Sequence, residues 1–500
     1  MNLIKFFIDQ HGCAKNQVDG ELIIANLEKA GYKQTFNSDE AQLIIINSCG
    51  FIESAKQECL EAVFSARQQY PKAKILLAGC LAERYGNDLN ESLPEVDGFF
   101  GNGNISEISN VVTSIFNDKK TVVIPPQKGV CCGDRKMFLA FPGSAFVKIT
   151  EGCNNRCSFC AIPIIRGELR SRNSDEIIKE IKELVSNGIY EINLIGQDLA
   201  AYGTGAEDNV FGTGRTYLPN GTPGIIENSI KIEKKESGLC TLLKRISELE
   251  GTFVVRLLYI HPDHFNEDIL PVMKADSRFL PYFDIPFQSG DDKIIKDMHR
   301  VGTKKKYSEL IESIRVVFPD AAIRTTFLAG FPGETEEAAE NTLNLLKDIK
   351  TDWSGCFPYS REEDTPAYDL KPRVNKKIAQ QRADNLVSIQ AEITKDKLSS
   401  RCGKEYDVLI EEVLAENADF PDEGFAIGRA WFQAPEVDGS VVVRFDRSEK
   451  NQVEAVKPGR LVKVKIISSG DVDLNGDFIC DSPLNSSIKP NKYSFAQQNA

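Results

Sequence analysis

Two stretches of this chain alternate apolar runs of strand length with amphipathic runs of helix length, and that alternation limits the possible folds more than any other feature. Within residues 4–80, "IKFFID", "AQLIIINS" and "AKILLAG" are separated by "ELIIANLEKAGY" and "ESAKQECLEAVFSARQQY". Strand, helix, strand, helix, strand implies a parallel sheet with right-handed crossovers. From residue 146 the rhythm resumes with "FVKIT", "EINLIGQD", "TFVVRLLYI", "LPYFDIPF", "IRTTFLAGF" and "SGCFPYS", with helical patterns between them. Six strands with interleaved helices predict a (β/α) barrel short of the usual eight.

The chain has 500 residues, too many for one core. The expected class is α/β, with an N-terminal parallel α/β sheet domain at 1–120 and a central partial (β/α) barrel at 139–397. Residues 121–138 carry Pro and Gly without a clear period and read as a linker. Residues 203–236, rich in Gly, Asn and charge, break the barrel's rhythm and read as a surface insertion. After a helical stretch near 376–400, five short strands without helices predict a small β-barrel of the oligonucleotide-binding type at 398–482. Residues 483–500 read as a disordered tail.

Chemistry concentrates in the cysteines: the chain has 13 of them and four histidines. Cys13, Cys49 and Cys80 each end a predicted strand of the N-terminal sheet. Ligands collect beyond the carboxyl ends of parallel strands, so residues distant in sequence can converge there. Cys153, Cys157 and Cys160 lie in "EGCNNRCSFCAIP", directly after the first barrel strand. Three thiolates on one loop suit zinc or an iron–sulfur cluster. Structural zinc wants a fourth ligand, and no nearby His or Cys supplies it. A four-iron cluster on three cysteines leaves one iron open. Cys59, Cys240, Cys356, Cys402 and Cys480 read as ordinary thiols. The adjacent Cys131 and Cys132 read as linker thiols prone to oxidation. His11 and His261 are candidate proton carriers.

The opening "MNLIKFFIDQHGC" lacks signal-peptide features, and no stretch approaches the ~20 apolar residues of a membrane span. The expected location is cytoplasmic, where clustered cysteines serve metals or catalysis more often than disulfides.

"CNNRCSFC", with Phe159 before its last cysteine, resembles the radical S-adenosylmethionine (SAM) signature. "HGCAKN", "NSCGFIE" and "AGCLAER" resemble the N-terminal domain of the methylthiotransferases, and the C-terminal strands resemble that family's TRAM module. The resemblance spans about residues 1–480. It implies two [4Fe-4S] clusters, one per cysteine trio, and SAM as both methyl donor and radical source. It also implies a sulfur donor and a one-electron reductant. The cofactors carry the hard chemistry. "GFPGETEE" falls near SAM in the family, and Phe159, Gln197 and Arg324 are the candidate SAM contacts, Arg324 facing its carboxylate or forming an ion pair.

One branch of the family modifies an aspartate of small-subunit ribosomal protein twelve; the other modifies an adenosine in transfer RNA. "NSCGFIESAKQE", "GCFPYSREEDTPA" and "AIGRAWFQAPEVDGSVVV" resemble the ribosomal-protein branch, whereas "PFQSGDD" resembles the RNA branch. Formal net charge is −13, and residues 401–500 hold 12 Lys and Arg against 17 Asp and Glu. An acidic module suits a basic protein better than RNA. A non-catalytic iron–sulfur electron carrier is the remaining alternative.

Overall fold

The computed structural model describes residues 3–204, 236–416 and 419–496. Most of the expected 203–236 insertion lies outside the described residues. The N-terminal part runs β1 (Lys5–Gln10), α1 (Ala14–Lys29), β2 (Lys33–Gln34), β3 (Leu43–Ser48), α2 (Glu53–Gln69), β4 (Lys74–Gly79), α3 (Cys80–Ser92), β5 (Gly98–Phe100), α4 (Ile108–Phe116) and β6 (Thr121–Val123). Its six strands form one parallel sheet in the order β2-β1-β3-β4-β5-β6. All of β3 is buried, as befits a central strand covered on both faces.

The middle of the chain runs β7 (Met137–Phe138), β8 (Ser144–Lys148), β9 (Thr150–Glu151), α5 (Ile162–Arg166), β10 (Arg170–Ser171), α6 (Ser174–Ser186), β11 (Glu191–Ile195), α7 (Gly238–Ser247) and β12 (Val254–Leu257). It continues through α8 (Ile269–Ala275), β13 (Phe279–Asp284), α9 (Asp292–Asp297), α10 (Lys304–Val317), β14 (Ala322–Ala329), α11 (Glu336–Ile349), β15 (Trp353–Pro358) and α12 (Lys376–Ser399). The six expected strands form a parallel sheet in the order β8-β11-β12-β13-β14-β15, the incomplete barrel that the sequence pattern predicts. The C-terminal strands β16 (Glu405–Val413), β17 (Glu423–Arg429) and β18 (Val441–Asp446) precede α13 (Lys450–Ala455), β19 (Leu461–Ser469) and β20 (Leu474–Asp481). These five strands close into a barrel.

Two expectations need correction. The linker at 121–138 is not structureless throughout. Its first residues are β6, which pairs with β5, and its end is β7. The tail at 483–500 is ordered as far as it is described. A short strand β21 (Ser494–Phe495) pairs with β7, and the Tyr493 ring meets Phe138 edge-on at 4.8 Å. A polar composition hid two aromatic anchors. Phe138, fully buried, needs them as cover.

The C-terminal barrel docks on the strand starts of the central domain. Arg256 of β12 and Arg429 of β17 both reach Glu191, which begins β11, at 2.9 and 2.7 Å. Arg429 also pairs with Glu411. Trp353 donates its indole N–H to the Phe432 carbonyl at 2.9 Å. Burial alone would raise the Glu191 carboxyl, but Arg429 and Arg256 overcome it and hold it well below the usual carboxylate range. Its contribution to stability is therefore present above the ordinary value of 4.5 and is lost as pH falls toward the depressed folded value. Arg429→Ala strands the buried Glu411 carboxylate and leaves Glu191 to Arg256 alone, and is expected to cost about 3–5 kcal/mol. Glu191→Gln is expected to shrink the acid-side loss of stability. Denaturant melts across pH 3–7 check both, at roughly one-unit steps of the linkage curve.

Candidate active site

The first cysteine trio stands where the sheet's strands end. Cys13 precedes α1 as its N-cap, Cys49 follows β3, and Cys80 opens α3 directly after β4. Gly12, at φ +88°, brings the chain so close that a Cβ there would lie 3.2 Å from the Cβ of Cys49. A Cβ on Gly50 would lie 2.6 Å from the Cys80 carbonyl oxygen. Glycine is what lets these loops approach. Burial pushes the Cys49 thiol up to about 12, and the neighbouring Cys80 and Cys13 sulfurs add to the shift.

The second trio wraps the loop between β9 and α5. The Cys160 amide donates to the Cys157 carbonyl at 3.0 Å. Burial, then the charge of Cys157, push the Cys160 thiol up to about 12. Such thiols do not ionise unaided near neutral pH; bound metal is what makes them thiolates. Among the described residues, the only set of three His, Cys, Asp or Glu groups with ligand atoms mutually within 4.8 Å is Asp198, His261 and His264. The all-thiol donor set of each trio suits a polynuclear iron–sulfur cluster.

One cysteine of the first trio, Cys80, meets the helix that follows the second trio, α5, across a domain contact. Ala161, next to Cys160, packs with Ile165 and Cys80 in one small cluster. Arg166, at the end of α5, donates to the Cys80 sulfur at 3.2 Å. The same guanidinium binds Asp19 of α1 at 2.7 Å and Glu151 at 2.9 Å. Lys148 bridges the same two carboxylates at 2.6 Å each. All four side chains are buried. Lys15, also buried, lies 3.0 Å from the centroid of the Tyr259 ring. Lys15, Asp19, Lys148, Glu151 and Arg166 carry no motif of their own, and sequence reasoning missed them. Lys15 sits within the quoted "HGCAKN", two residues from a cysteine, which was the one available signal.

Cys157 has side-chain donors of its own. His261 Nε2 lies 3.9 Å from its sulfur. The Asp263 amide donates to His261 Nδ1 at 3.3 Å, so the ring proton belongs on Nε2, facing Cys157. Burial and Arg300 push His261 well below its ordinary value, and it stays neutral. Arg300 also hydrogen-bonds Cys157. His261 is thus a donor to sulfur rather than a proton carrier. His11, raised to about 9 by Asp9 and Glu58, stays protonated in ion pairs.

The candidate SAM contacts separate. Phe159 packs with Phe331 of the "GFPGETEE" turn and with Met298. Gln197 lies past the end of β11, not within a strand; it donates to Glu151 at 3.2 Å, and its Oε1 is buried without a partner. Arg324 is corrected. It is the third residue of β14, near the strand's start, and it pairs with Asp438 of the C-terminal barrel at 2.8 Å. That position puts it in the contact with the C-terminal barrel, and its guanidinium also lies 3.8 Å from Asp284, the last residue of β13.

Comparison with known proteins agrees with this layout. Three family profiles match in order: Uncharacterized protein family UPF0004 at residues 5–101, the Radical SAM superfamily at 147–346 and the TRAM domain at 402–479. A relative from Treponema denticola, named ribosomal protein uS12 methylthiotransferase RimO, is 51% identical over 93% of this chain and 99% of its own length. The chain belongs to the RimO family. RimO proteins of Carboxydothermus hydrogenoformans and Thermotoga maritima are 34% and 36% identical, over 96% and 87% of this chain and 100% and 92% of their own. A radical SAM methyltransferase, TsrM from Kitasatospora setae, aligns over 74% of this chain and 75% of its own at 13% identity, with a TM-score of 0.49. As a RimO-family member the chain is a radical SAM methylthiotransferase that uses SAM and [4Fe-4S] clusters.

Replacing Cys153, Cys157 and Cys160 together with Ala is expected to remove about half the iron of the anaerobically reconstituted protein and abolish SAM cleavage. Replacing Cys13, Cys49 and Cys80 should remove the other half and leave SAM cleavage measurable. His261→Phe removes a hydrogen bond to a cluster sulfur. It should lower the midpoint potential in an EPR-monitored redox titration while iron content holds.

Proposed function

We propose that this RimO-family enzyme places a methylthio group on the β-carbon of an aspartate in ribosomal protein uS12, with Cys153, Cys157 and Cys160 holding the SAM-binding cluster and Cys13, Cys49 and Cys80 the sulfur-carrying one. The carrying observation is the near-full-length similarity to relatives named for uS12, joined to the contact of Cys80 with Ala161, Ile165 and Arg166 just after the second trio. The bound cofactors supply a radical able to take hydrogen from an unactivated carbon, a methyl group and a sulfur atom. This chain's residues hold those groups face to face. Arg166 and Lys148 fix the approach of the first trio to the second. Phe159 and the "GFPGETEE" turn cover one side, and Gln197 offers a free buried oxygen beside Glu151. Reacting atoms need near-contact geometry, which a buried ionic lock between domains maintains.

A basic ribosomal protein also suits the C-terminal barrel, where Glu405, Glu412, Glu416, Asp422 and Glu423 are exposed. Binding through such charges weakens as salt screens them. The reaction also requires a one-electron reductant and a sulfur source. No helix among the described residues is long and apolar enough to cross a membrane, which is compatible with action on ribosomal protein in the cytoplasm.

A deletion strain tests the assignment. Mass spectrometry should find uS12 lacking the methylthio mass on its aspartate, with methylthio-adenosine in transfer RNA unchanged. Loss of the nucleoside with uS12 modification intact would instead support the RNA branch that "PFQSGDD" resembles.

A further inference from the structure

The adjacent cysteines Cys131 and Cys132 take no part in either trio, yet they sit beside the first one. Cys131 Sγ lies 3.8 Å from the Asn102 carbonyl and 3.7 Å from that of Gly103. Asn102 is buried, and its side-chain amide donates to the Cys80 sulfur at 3.5 Å. One residue therefore touches both Cys131 and a cysteine of the first trio. The two thiols line a cleft of about 540 Å³ together with Leu22, Asn26, Asn104 and Lys136. Cys132 is exposed at this cleft and Cys131 half-buried behind it.

Cys132 also has the surroundings of a working nucleophile. Its sulfur lies 3.9 Å from Glu176 Oε2. The same oxygen is 3.7 Å from Arg172 Nε, whose charge attracts the carboxylate without a hydrogen bond. A thiol, a proton acceptor and a group that orients the acceptor form a nucleophile–base arrangement. Burial raises both thiols, with Arg172 pulling Cys132 and Lys148 pulling Cys131 the other way. Both rest protonated until a proton acceptor assists.

We infer that Cys131 and Cys132 form a sulfur-acceptance site that takes the outer sulfur of a persulfide and releases it as hydrosulfide beside the first trio. This deepens the proposed function, because it rests on Cys13, Cys49 and Cys80 holding the cluster that gives up sulfur. In the first step Cys132 attacks the outer sulfur of the donor R–S–SH. The donor S–S bond breaks, a bond from Cys132 Sγ to that sulfur forms, and the thiol R–SH leaves with the proton passed through Glu176. In the second step Cys131 attacks Cys132 Sγ. The Cys131–Cys132 disulfide forms, the bond to the outer sulfur breaks, and hydrosulfide leaves. The two cysteine thiols lose two electrons, which reduce the sulfane sulfur to sulfide. A dithiol reductant then restores both thiols and is itself oxidised to a disulfide. Adjacent residues have Cα atoms about 3.8 Å apart, below the usual disulfide range, so the bond formed is strained and readily reduced. That lability suits a site that must reset after each delivery.

The test uses the reconstituted holoenzyme with two probes, glutathione persulfide and a persulfide-charged cysteine desulfurase. Hydrosulfide is trapped and counted, and the 131–132 peptide is weighed. The wild type should release one hydrosulfide per chain, and the peptide should lose two hydrogens. Cys132→Ser should fall to the background rate. Cys131→Ser should retain one extra sulfur on Cys132 and release no hydrosulfide. Reaction with glutathione persulfide would identify a free donor as sufficient; reaction with the desulfurase alone would identify a protein carrier. Release that is unchanged in Cys132→Ser, or sulfur appearing equally on the exposed Cys402 and Cys480, would overturn the inference. The release assay contains no ribosomal protein, so an error in the substrate assignment would leave its result unchanged.

Discussion

The structure depends on four buried charges. Lys148 and Arg166 from the central domain meet Asp19 from the N-terminal helix and Glu151 from the loop that leads to the second trio. Taking such groups out of water is costly, and the cost is offset only when every charge is paired at close range. Here each cation meets both anions, so moving either domain would strand a charge. The lock also reaches the chemistry. Arg166 touches Cys80, and Glu151 accepts from Gln197. The seating of the N-terminal domain against the central one is therefore set by electrostatics in a dry interior, where it is least forgiving. Sites held by packed, mutually hydrogen-bonded neighbours keep reacting groups in register.

A second ionic layer closes the opposite end. Glu191, Arg256, Arg429 and Glu411 join the C-terminal barrel to the starts of the central strands, and Arg324 adds its pair with Asp438. The small barrel consequently covers the starts of the central strands, and its Glu436 also reaches Gln17 of α1. It leaves the carboxyl ends of the strands, where ligands bind in such sheets, to the N-terminal domain and substrate.

The second trio illustrates how a neighbouring shell can differ among three equivalent ligands. Cys157 faces a neutral histidine N–H and an arginine, whereas Cys160 receives the Ile162 amide at 3.5 Å. Hydrogen bonds to sulfur tune the potential of an iron–sulfur cluster. The tautomer of His261 follows from one backbone amide, that of Asp263, so a turn two residues away decides which way the ring proton points.

Sequence alone determined the architecture and singled out the six candidate cysteines. Apolar periodicity placed six central strands and five C-terminal ones, because burial on a sheet or in a barrel imposes a repeat that short windows of residues reveal. The cysteines were legible because their positions relative to strand ends are themselves local. Tertiary structure decided what the charged residues do. Arg324 looked like a cofactor contact and is an interdomain partner, since its meaning lies in Asp438, 114 residues away. Asp19 and Lys148, separated by 129 residues, carry no pattern that announces their pairing. The tail likewise found its place only through Phe138 and β7. Periodicity records which face of an element is buried, but not which distant group waits there, and buried charges take their role from that group.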